Sequence, residues 1–282
     1  MKLAVESAAA APLSPEQARA YLDRIGLEHV PVRPVCTLEL LDELVFAHQC
    51  SVPFESVDFA GGGPAPSLVQ EDLFHKIVAD KHGGFCFELN MLFEKLLLSL
   101  GYEARACLSR SVRGPEGADA INHRAELVKV GTMWHFADVG FGGPICARAI
   151  PVEDGARLFD GSYTFMCCQQ DETWWSIERY TGGSSDIFGD TYESCRQVEL
   201  LFCTAAVEDR DFELLCEGLS KPGSYFYEHA LVNLRTPEGY IAFDGMDMKV
   251  RGAGIKQELR FSSEEERNEQ LERLVGFRPY GK

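Results

Sequence analysis

The sequence has no long apolar run, and it has far fewer basic than acidic residues. No stretch of about 18 consecutive apolar residues occurs, so no membrane span is expected. The 282 residues include 27 Lys and Arg against 44 Asp and Glu, which gives a formal net charge of −17. This balance argues against nucleic acid or an anionic membrane surface as a partner. It also opposes long-range attraction of a polyanionic cofactor, which would need a local pocket of hydrogen-bond donors.

The cysteines lack the spacing of a metal site or a disulfide framework. The ten cysteines include no C-x-x-C pair, and they are too thinly spread over 282 residues for a stapled scaffold. Cys167 and Cys168 are adjacent, and a bridge between neighbours would be severely strained. No pair of the seven histidines has metal-ligand spacing. We therefore expect reduced thiols, no metal and a cytoplasmic location. Glu6 interrupts the apolar N-terminal stretch, so we expect no secretory signal.

Hydrophobic periodicity separates a helical first part from a strand-rich remainder. Capping residues and amphipathic spacing predict helices over 14–26, 37–50, 68–81 and 86–100. From residue 102 the pattern changes to short alternating or β-rich segments. Helices followed by strands and a mixed tail are typical of an α+β protein. The predicted parts are a helical domain (1–101), a β domain (102–204) and a C-terminal lid (205–282).

Cys86 stands where a Gly-Gly turn meets the first turn of an apolar helix, in the segment HGGFCFELNMLFEKLLLSLG. Unpaired backbone N–H groups and the helix dipole favour negative charge there, so we expect a lowered thiol pKa. The same N–H groups can hold the oxyanion that forms during acyl transfer. Gly83 and Gly84 would let another molecule approach the backbone. A buried cysteine at an ordinary helix start is the alternative interpretation, and this segment alone does not decide between the two.

A histidine and an aspartate are predicted to pair on the next β segment. If Val130 and Gly131 are the central residues of a two-residue hairpin turn, His123 lies directly opposite Asp138 on the same face. The carboxylate would fix the imidazole tautomer and stabilise its protonated form. The alternative is a strand histidine that a neighbouring carboxylate satisfies. His82, just before the glycines, is the nearest rival as a base.

The two faces of this hairpin differ in composition. The face of His123 and Asp138 is the drier one, and the other face is expected to be solvated. The drier face carries Ala125, Leu127, Trp134 and Phe136, and the other carries Arg124, Glu126 and His135.

Four motifs in order resemble the arylamine N-acetyltransferase family. The family's glycine pair, nucleophilic cysteine and following F-E are matched by residues 83–88, and its histidine by His123. Its D-V-G-F-G signature is matched by residues 138–142. An earlier valine–proline–phenylalanine–glutamate turn is matched by residues 52–55, with His48 upstream. The resemblance runs from about residue 14 to about residue 250.

The resemblance implies a fold and a reaction. The fold would be a helical domain, a β-barrel domain and a C-terminal α/β lid around a cysteine-protease-like catalytic core. In ping-pong chemistry Cys86 would take the acetyl group from acetyl-CoA as a thioester, and an arylamine or arylhydrazine would then attack it. His123 would act as the base and Asp138 would orient it.

Substrate contacts are only partly indicated. Phe54 and Phe141 occupy positions where the family's phenylalanines line the acceptor pocket, although core packing explains them equally well. No glycine-rich phosphate loop is present, so no residue that contacts CoA can be named, and the sequence does not indicate an oligomeric state.

Two positions depart from the family pattern. His82 stands where the family usually has arginine before the glycine pair, and Ser56 stands where asparagine often follows the glutamate. Neither departure removes a catalytic group, but an ion pair made by that arginine would be lost.

Other functions remain open. A related acyltransferase could use a propionyl or malonyl donor. A cysteine peptidase or transglutaminase-type enzyme shares the chain order Cys, His, Asp, and it would accept peptide or glutamine donors instead of acyl-CoA. A non-catalytic binding protein could keep the fold, although the intact triad counts against it.

Overall fold

The computed structural model describes residues 11–112, 120–181, 195–252 and 255–280. Residues 11–100 are mainly helical, and the four predicted helices are confirmed. The elements are α1 (Pro15–Arg24), α2 (Leu38–Ser51), a two-residue strand β1 (Phe54–Glu55), α3 (Gln70–Phe74), which continues into a π-helical turn (His75–Ala79), and α4 (Cys86–Leu100). Ser14 and Thr37 cap α1 and α2 with their side-chain oxygens. Helix α4 is the central helix of this part, and it is buried along nearly its whole length.

Eight antiparallel strands form the middle of the chain. Their order in the sheet is β5-β4-β3-β2-β9-β8-β7-β6, and the two edge strands approach each other, so the sheet is a nearly closed barrel. Its interior is a separate apolar cluster that includes Phe136, Phe165 and Phe202. The strands are β2 (Glu103–Ser111), β3 (His123–Val130), β4 (Met133–Ala137), β5 (Ile150–Pro151), β6 (Ala156–Phe159), β7 (Thr164–Gln169), β8 (Trp174–Thr181) and β9 (Cys195–Cys203).

A second antiparallel sheet and three helices form the C-terminal part. Its strand order is β1-β10-β11-β12-β13, so a strand from the first hundred residues completes it at one edge. The helix α7 covers one face of the sheet and packs Leu271 and Val275 against Val232 and Phe243. The elements are α5 (Glu213–Leu219), α6 (Tyr225–Glu228), β10 (Leu231–Thr236), β11 (Gly239–Asp244), β12 (Asp247–Gly252), β13 (Ile255–Arg260) and α7 (Glu264–Val275).

The architecture confirms the predicted α+β class, with a helical part, a barrel and a C-terminal α/β part. The exact domain limits at 101/102 and 204/205 stay a prediction. The nine cysteines that the structure describes are free thiols. Within the described residues no helix is long and apolar enough to cross a membrane. The N-terminal stretch for which no secretory signal is expected lies largely outside the described residues.

The register of the β3–β4 hairpin differs from the prediction by two residues. Val130 pairs with Met133, so the central turn residues are Gly131 and Thr132. Gly131 has a φ of +60°, which a type II′ hairpin turn requires at its first central position. Direct opposition of His123 and Asp138 is therefore wrong. Because a shift of two residues keeps every side chain on its face, the two still lie on the same side and meet diagonally.

The face that we expected to be solvated is buried. Arg124 and Glu126 have no exposed surface, and His135 is only 4% exposed. The reason is that α4 packs against the outside of β2 and β3. The Arg124 guanidinium donates to Glu94 of α4 and, at 3.0 Å, to the Glu126 carboxylate. The strand is therefore buried on both faces. Ion pairs compensate the charge of Arg124 there, whereas the Glu126 Oε2 and the His135 Nδ1 have no hydrogen-bond partner among the described residues.

Candidate active site

Cys86 is the first residue of α4, and its side chain is enclosed. Only 2% of the residue is exposed. The helix start is held by Glu88, whose carboxylate accepts the backbone N–H of Phe85 at 2.7 Å. The two preceding glycines are packed closely against other residues of the chain, which leave no room for a side chain. A Cβ on Gly83 would lie 2.6 Å from the carbonyl oxygen of Pro53, so the space that we expected a ligand to use belongs to the β1 segment.

The predicted partners of Cys86 converge on it from the barrel. His123 is the first residue of β3, and Asp138 follows the end of β4. The His123 Nε2 lies 2.7 Å from the Asp138 Oδ2, and both side chains are buried. The loop after Asp138 packs directly on the nucleophile, since a Cβ on Gly140 would come within 3.0 Å of the Cys86 carbonyl oxygen.

Two amides hold Asp138 in place. The Asn90 Nδ2 donates to the Asp138 Oδ1 at 2.9 Å and to the carbonyl of Arg124 at 2.6 Å, while its Oδ1 accepts the Val139 N–H. From α2, the Gln49 Nε2 donates to the Asp138 carbonyl at 2.7 Å. Neither residue lies in a motif from which the site is predicted. Asn90 had a visible signal, because it is the one amide in α4 and lies one turn after Cys86.

The thiol pKa is raised, opposite to the prediction. Burial raises the pKa of Cys86 well above its ordinary value, and the nearby Cys216 and Asp138 add to it. The backbone N–H of Phe87, as expected at a helix start, and that of Arg124 on β3 act in the opposite direction, but desolvation is larger. No hydrogen bond joins the thiol to the His123 ring among the described residues. In this enclosed arrangement the thiol is therefore neutral until a base takes its proton.

Phe54 and Phe141 lie between the catalytic residues and open space. The Phe141 ring meets the His123 ring edge-on at 5.4 Å between centroids. The Phe54 ring packs against Phe85 and Phe226. Both phenylalanines border two cavities of about 810 and about 900 Å³. Their role in lining an acceptor pocket stays a prediction.

A buried ion-pair cluster lies behind the Cys86 turn. The Lys76 ammonium is 2.7 Å from Glu55 and 3.0 Å from Glu88, and it is 3.4 Å from Asp58. Burial alone would lower the pKa of Lys76, but the three carboxylates outweigh it and raise the pKa well above its ordinary value. Lys76 supplies the positive charge of this cluster, a role that its place in the sequence does not indicate.

His82, the nearest rival as a base, belongs to this cluster. Its ring lies between Phe277 and Tyr280, with centroids 4.2 and 4.5 Å away. Its Nδ1 is 3.9 Å from Glu55 and its Nε2 is 3.6 Å from Asp58. Burial lowers the pKa of His82, and burial together with the charge of Glu55 raises the pKa of Asp58 to about 7.

The ligand atoms of Glu55, Asp58 and His82 lie within 4.8 Å of one another, which is close enough to hold a metal ion. The Lys76 ammonium contacts both carboxylates, and a divalent cation placed between them would repel it. The lysine therefore already supplies a positive charge to both carboxylates of this site.

Comparison with known proteins gives one consistent result. The family model described as N-acetyltransferase matches residues 37–278. An arylamine N-acetyltransferase / N-hydroxyarylamine O-acetyltransferase of Salmonella typhimurium is 35% identical over 161 residues, covering 55% of this chain and 54% of the relative. An arylamine N-acetyltransferase of Mycolicibacterium smegmatis is 27% identical over 248 residues, covering 86% of this chain and 85% of the relative.

The fold agrees with that result. A solved M. smegmatis arylamine N-acetyltransferase superposes with a TM-score of 0.79 at 27% identity, covering 91% of this chain and 90% of that one. The family model spans most of the chain. Cys86, His123 and Asp138 all lie within the residues that it matches. The chain therefore belongs to the arylamine N-acetyltransferase family of acyltransferases, as its motifs predict.

Proposed function

We propose that the chain transfers an acetyl group from acetyl-CoA to an arylamine or arylhydrazine through a thioester on Cys86. The observation that carries the proposal is the buried 2.7 Å contact between His123 and Asp138, positioned beside the start of α4. A buried imidazole–carboxylate pair next to a thiol is the arrangement of a nucleophile, a base and a group that orients the base.

The contact with Asp138 supports one assignment of the two ring nitrogens of His123. Asp138 accepts only, so the proton between them sits on Nε2, and Nδ1 carries the lone pair that faces away from the carboxylate. In the first half-reaction Nδ1 takes the thiol proton and the sulfur attacks the carbonyl carbon of acetyl-CoA. The bond from that carbon to the CoA sulfur then breaks, and the departing CoA thiolate receives the proton from His123.

The second half-reaction runs the same steps toward the acceptor. The amine nitrogen attacks the carbonyl carbon of the thioester, and His123 takes a proton from that nitrogen. The carbon–sulfur bond breaks, and the proton returns to Cys86 as the amide leaves. Backbone N–H groups at the first turn of α4 favour the negative charge that develops on oxygen and sulfur in both halves.

The surroundings of the thiol favour an aromatic acceptor. Phe54, Phe141, Tyr225 and Phe226 border the larger cavity. Flat apolar rings can stack or pack edge-on against such side chains. Since His123 itself contacts Phe141, an arylamine held there would have its nitrogen near the base.

An intact-mass measurement tests the proposal. Purified protein mixed with acetyl-CoA and no acceptor should gain one acetyl group, and the Cys86→Ala variant should gain none. An arylamine or hydrazine added afterwards should remove the acetyl group, and free CoA should be released in proportion.

Absence of any adduct on the wild-type protein at catalytic concentrations would overturn the proposal. Propionyl-CoA and malonyl-CoA belong in the same experiment, because a faster adduct with either would identify a different donor. A glutamine-containing peptide is the further control, and acylation by it instead of by the CoA thioesters would indicate transglutaminase-type chemistry.

A further inference from the structure

Arg124 follows His123 on β3, and its main chain lies against the residues of the site. Burial raises the pKa of the Cys86 thiol, and the backbone N–H of Arg124, which donates to the sulfur, acts against that rise. The Arg124 carbonyl oxygen accepts the Asn90 Nδ2 at 2.6 Å, and the same amide holds Asp138 at 2.9 Å. Any displacement of Arg124 would therefore change the contacts of the nucleophile and of the carboxylate together.

The side chain of Arg124 is fully buried, and carboxylates from three elements surround its guanidinium. Its Nε lies 3.0 Å from Glu126 on β3, its Nη1 lies 2.9 Å from Asp209, and its Nη2 donates to Glu94 on α4. Asp209 begins a short helical turn (Asp209–Phe212) that leads into α5. Because all three nitrogens are engaged, this one side chain joins α4, β3 and the turn.

Aromatic packing extends the connection to the nucleophile. The guanidinium carbon of Arg124 lies 4.8 Å from the centre of the Phe212 ring. Guanidinium groups stack favourably on aromatic faces. The Phe212 ring packs in turn against the ring of Phe87, at 5.9 Å between centroids, and Phe87 directly follows Cys86. The buried cation is thus connected to the first turn of α4 through side chains as well as through its own main chain.

The carboxylates around Arg124 depend on its charge. Burial raises the pKa of Glu94 and of Glu126, and the positive charge of Arg124 acts against both rises. Lys95, which bonds to Asp209, is a second cation beside this group. Buried carboxylates that lose their partner need either a proton or water. Water could reach them only if β3 and α4 moved apart, and that movement would separate the residues of the site.

We propose that Arg124 is a positioning residue for acyl transfer, whose buried guanidinium fixes the start of β3 against α4 and thereby keeps His123 within reach of Cys86. Arg124 touches no substrate. It acts through its backbone N–H on Cys86 and through Asn90 on Asp138. The proposal rests on the proposed function for the identity of the reaction, but the environment of the thiol can be measured without that reaction.

Alkylation of Cys86 by iodoacetamide measures that environment. The thiolate is the reactive form, so the pH dependence of the alkylation rate follows the thiol pKa, and peptide mass mapping assigns the product to Cys86. In Arg124→Met we expect the pH of half-maximal rate to rise by about one unit, because the backbone N–H no longer lies at the sulfur. The other groups that raise this pKa, Cys216 and Asp138, stay in place, and so does His123.

The conservative variant and the acetylation rate give two further readouts. Arg124→Lys keeps the charge but loses the fork that reaches three carboxylates, so its shift should be intermediate. In Arg124→Met the maximal single-turnover rate of Cys86 acetylation should fall about 30-fold through misplacement of the reacting groups. The acetyl-CoA concentration that gives half of this rate should change less than about threefold, because Arg124 borders neither cavity.

Arg179→Met is the matched control for the loss of a buried arginine. Arg179 lies on β8, three strands from β3 in the sheet, 2.6 Å from Glu199 and 4.7 Å from the centre of the Tyr163 ring. Its removal should also lower stability in urea unfolding, since it too leaves a buried carboxylate without its partner. The alkylation profile of Cys86 should stay as in the wild type. An equal shift in this control would show that Arg124 acts only through overall stability.

Asp209→Asn covers the case in which Arg124→Met does not fold. The Asp209 side chain is 35% exposed, so its substitution is milder, yet it removes one of the three charges that hold the guanidinium. We expect alkylation of Cys86 at pH 7.5 to slow about threefold. An unchanged profile in folded Arg124→Met, or in Asp209→Asn where the first variant does not fold, would overturn the positioning role. Failure of the wild type to be acetylated by acetyl-CoA would instead overturn the proposed function and leave the alkylation result standing.

Discussion

At the scale of single residues, the hydrogen bonds around Asp138 predict the effect of removing its charge. Its Oδ1 accepts from the Asn90 amide and from the Gly140 N–H, both at 2.9 Å, and its Oδ2 faces the His123 Nε2. An asparagine at this position has one oxygen for three donors. Keeping the bonds to Asn90 and Gly140 turns its NH₂ toward His123, which moves the ring proton to Nδ1.

We therefore expect Asp138→Asn to lower the rate of Cys86 acetylation by roughly 10²–10⁴-fold, because Nδ1 can no longer take the thiol proton. The packing is unchanged, so the melting temperature should stay within a few degrees of the wild type. Single-turnover acetylation followed by intact mass measures the rate. A rate within tenfold of the wild type would remove Asp138 from the mechanism.

Lys76 gives a second prediction at the same scale. Replacing it with methionine leaves the carboxylates of Glu55 and Glu88 buried and unneutralised beside the Cys86 turn. Removing one partner of a buried ion pair typically costs roughly 3–5 kcal/mol. We expect Lys76→Met to lose stability in this range in urea unfolding and to lose most of its acetylation rate.

A second substitution separates charge from packing. The His82 ring lies within 4 Å of Glu55 and Asp58, so a guanidinium there would reach both carboxylates. His82→Arg in the Lys76→Met background should recover at least half of the lost stability and part of the rate. The control is Lys129→Met, which breaks the exposed pair with Glu103 and should cost under about 1 kcal/mol. No recovery in the double variant would show that the ammonium acts through its packing.

The triad residues could be predicted from the sequence because each stands in a short local motif. The residues around them could not, because their partners come from distant elements. Lys76 lies on the π-helical turn, and its three carboxylates come from β1, the loop after it and α4. Nothing in the sequence near Lys76 shows that arrangement.

At the scale of elements, the β3–β4 hairpin shows what alternation can and cannot predict. Alternation defines which residues share a face, and this placed His123 and Asp138 together correctly. The register depends on which residue takes the left-handed turn position, and Gly131 takes the first central position, not the second. Burial also could not be read from alternation, because α4 covers the face that carries Arg124 and Glu126.

The loop after β4 carries a prediction that concerns substrate binding. Gly142 has a φ of +67°, and a Cβ there would lie 2.6 Å from the Phe54 ring. Gly142→Ala should therefore displace Phe54 and raise the KM for an arylamine acceptor severalfold. The matched control is Gly155→Ala, because Gly155 has a similar φ of +78° and no atom within 4 Å of the added carbon.

The two alanine variants share the backbone cost of a left-handed residue, about 1 kcal/mol. This backbone cost should lower the stability of both variants by a similar amount. Only Gly142→Ala should change the acceptor KM in steady-state assays. An unchanged KM in Gly142→Ala would mean that Phe54 does not line the acceptor pocket.

At the scale of the whole molecule, acid stability depends on a histidine in the helical core. His48 is fully buried between Tyr21, whose hydroxyl lies 2.8 Å from its Nδ1, and Phe93. Burial, with the charge of Arg24 adding to it, lowers the pKa of His48 to about 3. In the unfolded chain the pKa is about 6.5. The unfolded state therefore binds this proton first as pH falls, and stability is lost between about pH 6.5 and pH 3.

The size of the effect follows from the two pKa values. Between pH 7.5 and pH 5.5 the unfolded state gains about 1.4 kcal/mol from protonating His48 while the folded state gains almost nothing. Other groups titrate in this range, including Asp58, whose raised pKa acts in the opposite direction because protonation favours the folded state. For each protein the change in the free energy of unfolding between pH 7.5 and pH 5.5 is therefore measured. The change for His48→Asn is then subtracted from the change for the wild type. We expect the wild type to lose about 1.4 kcal/mol more than the variant, as measured by urea unfolding at the two pH values. Equal losses would mean that His48 is charged or accessible in the folded protein, and the helical core would then tolerate a cation between Tyr21 and Phe93.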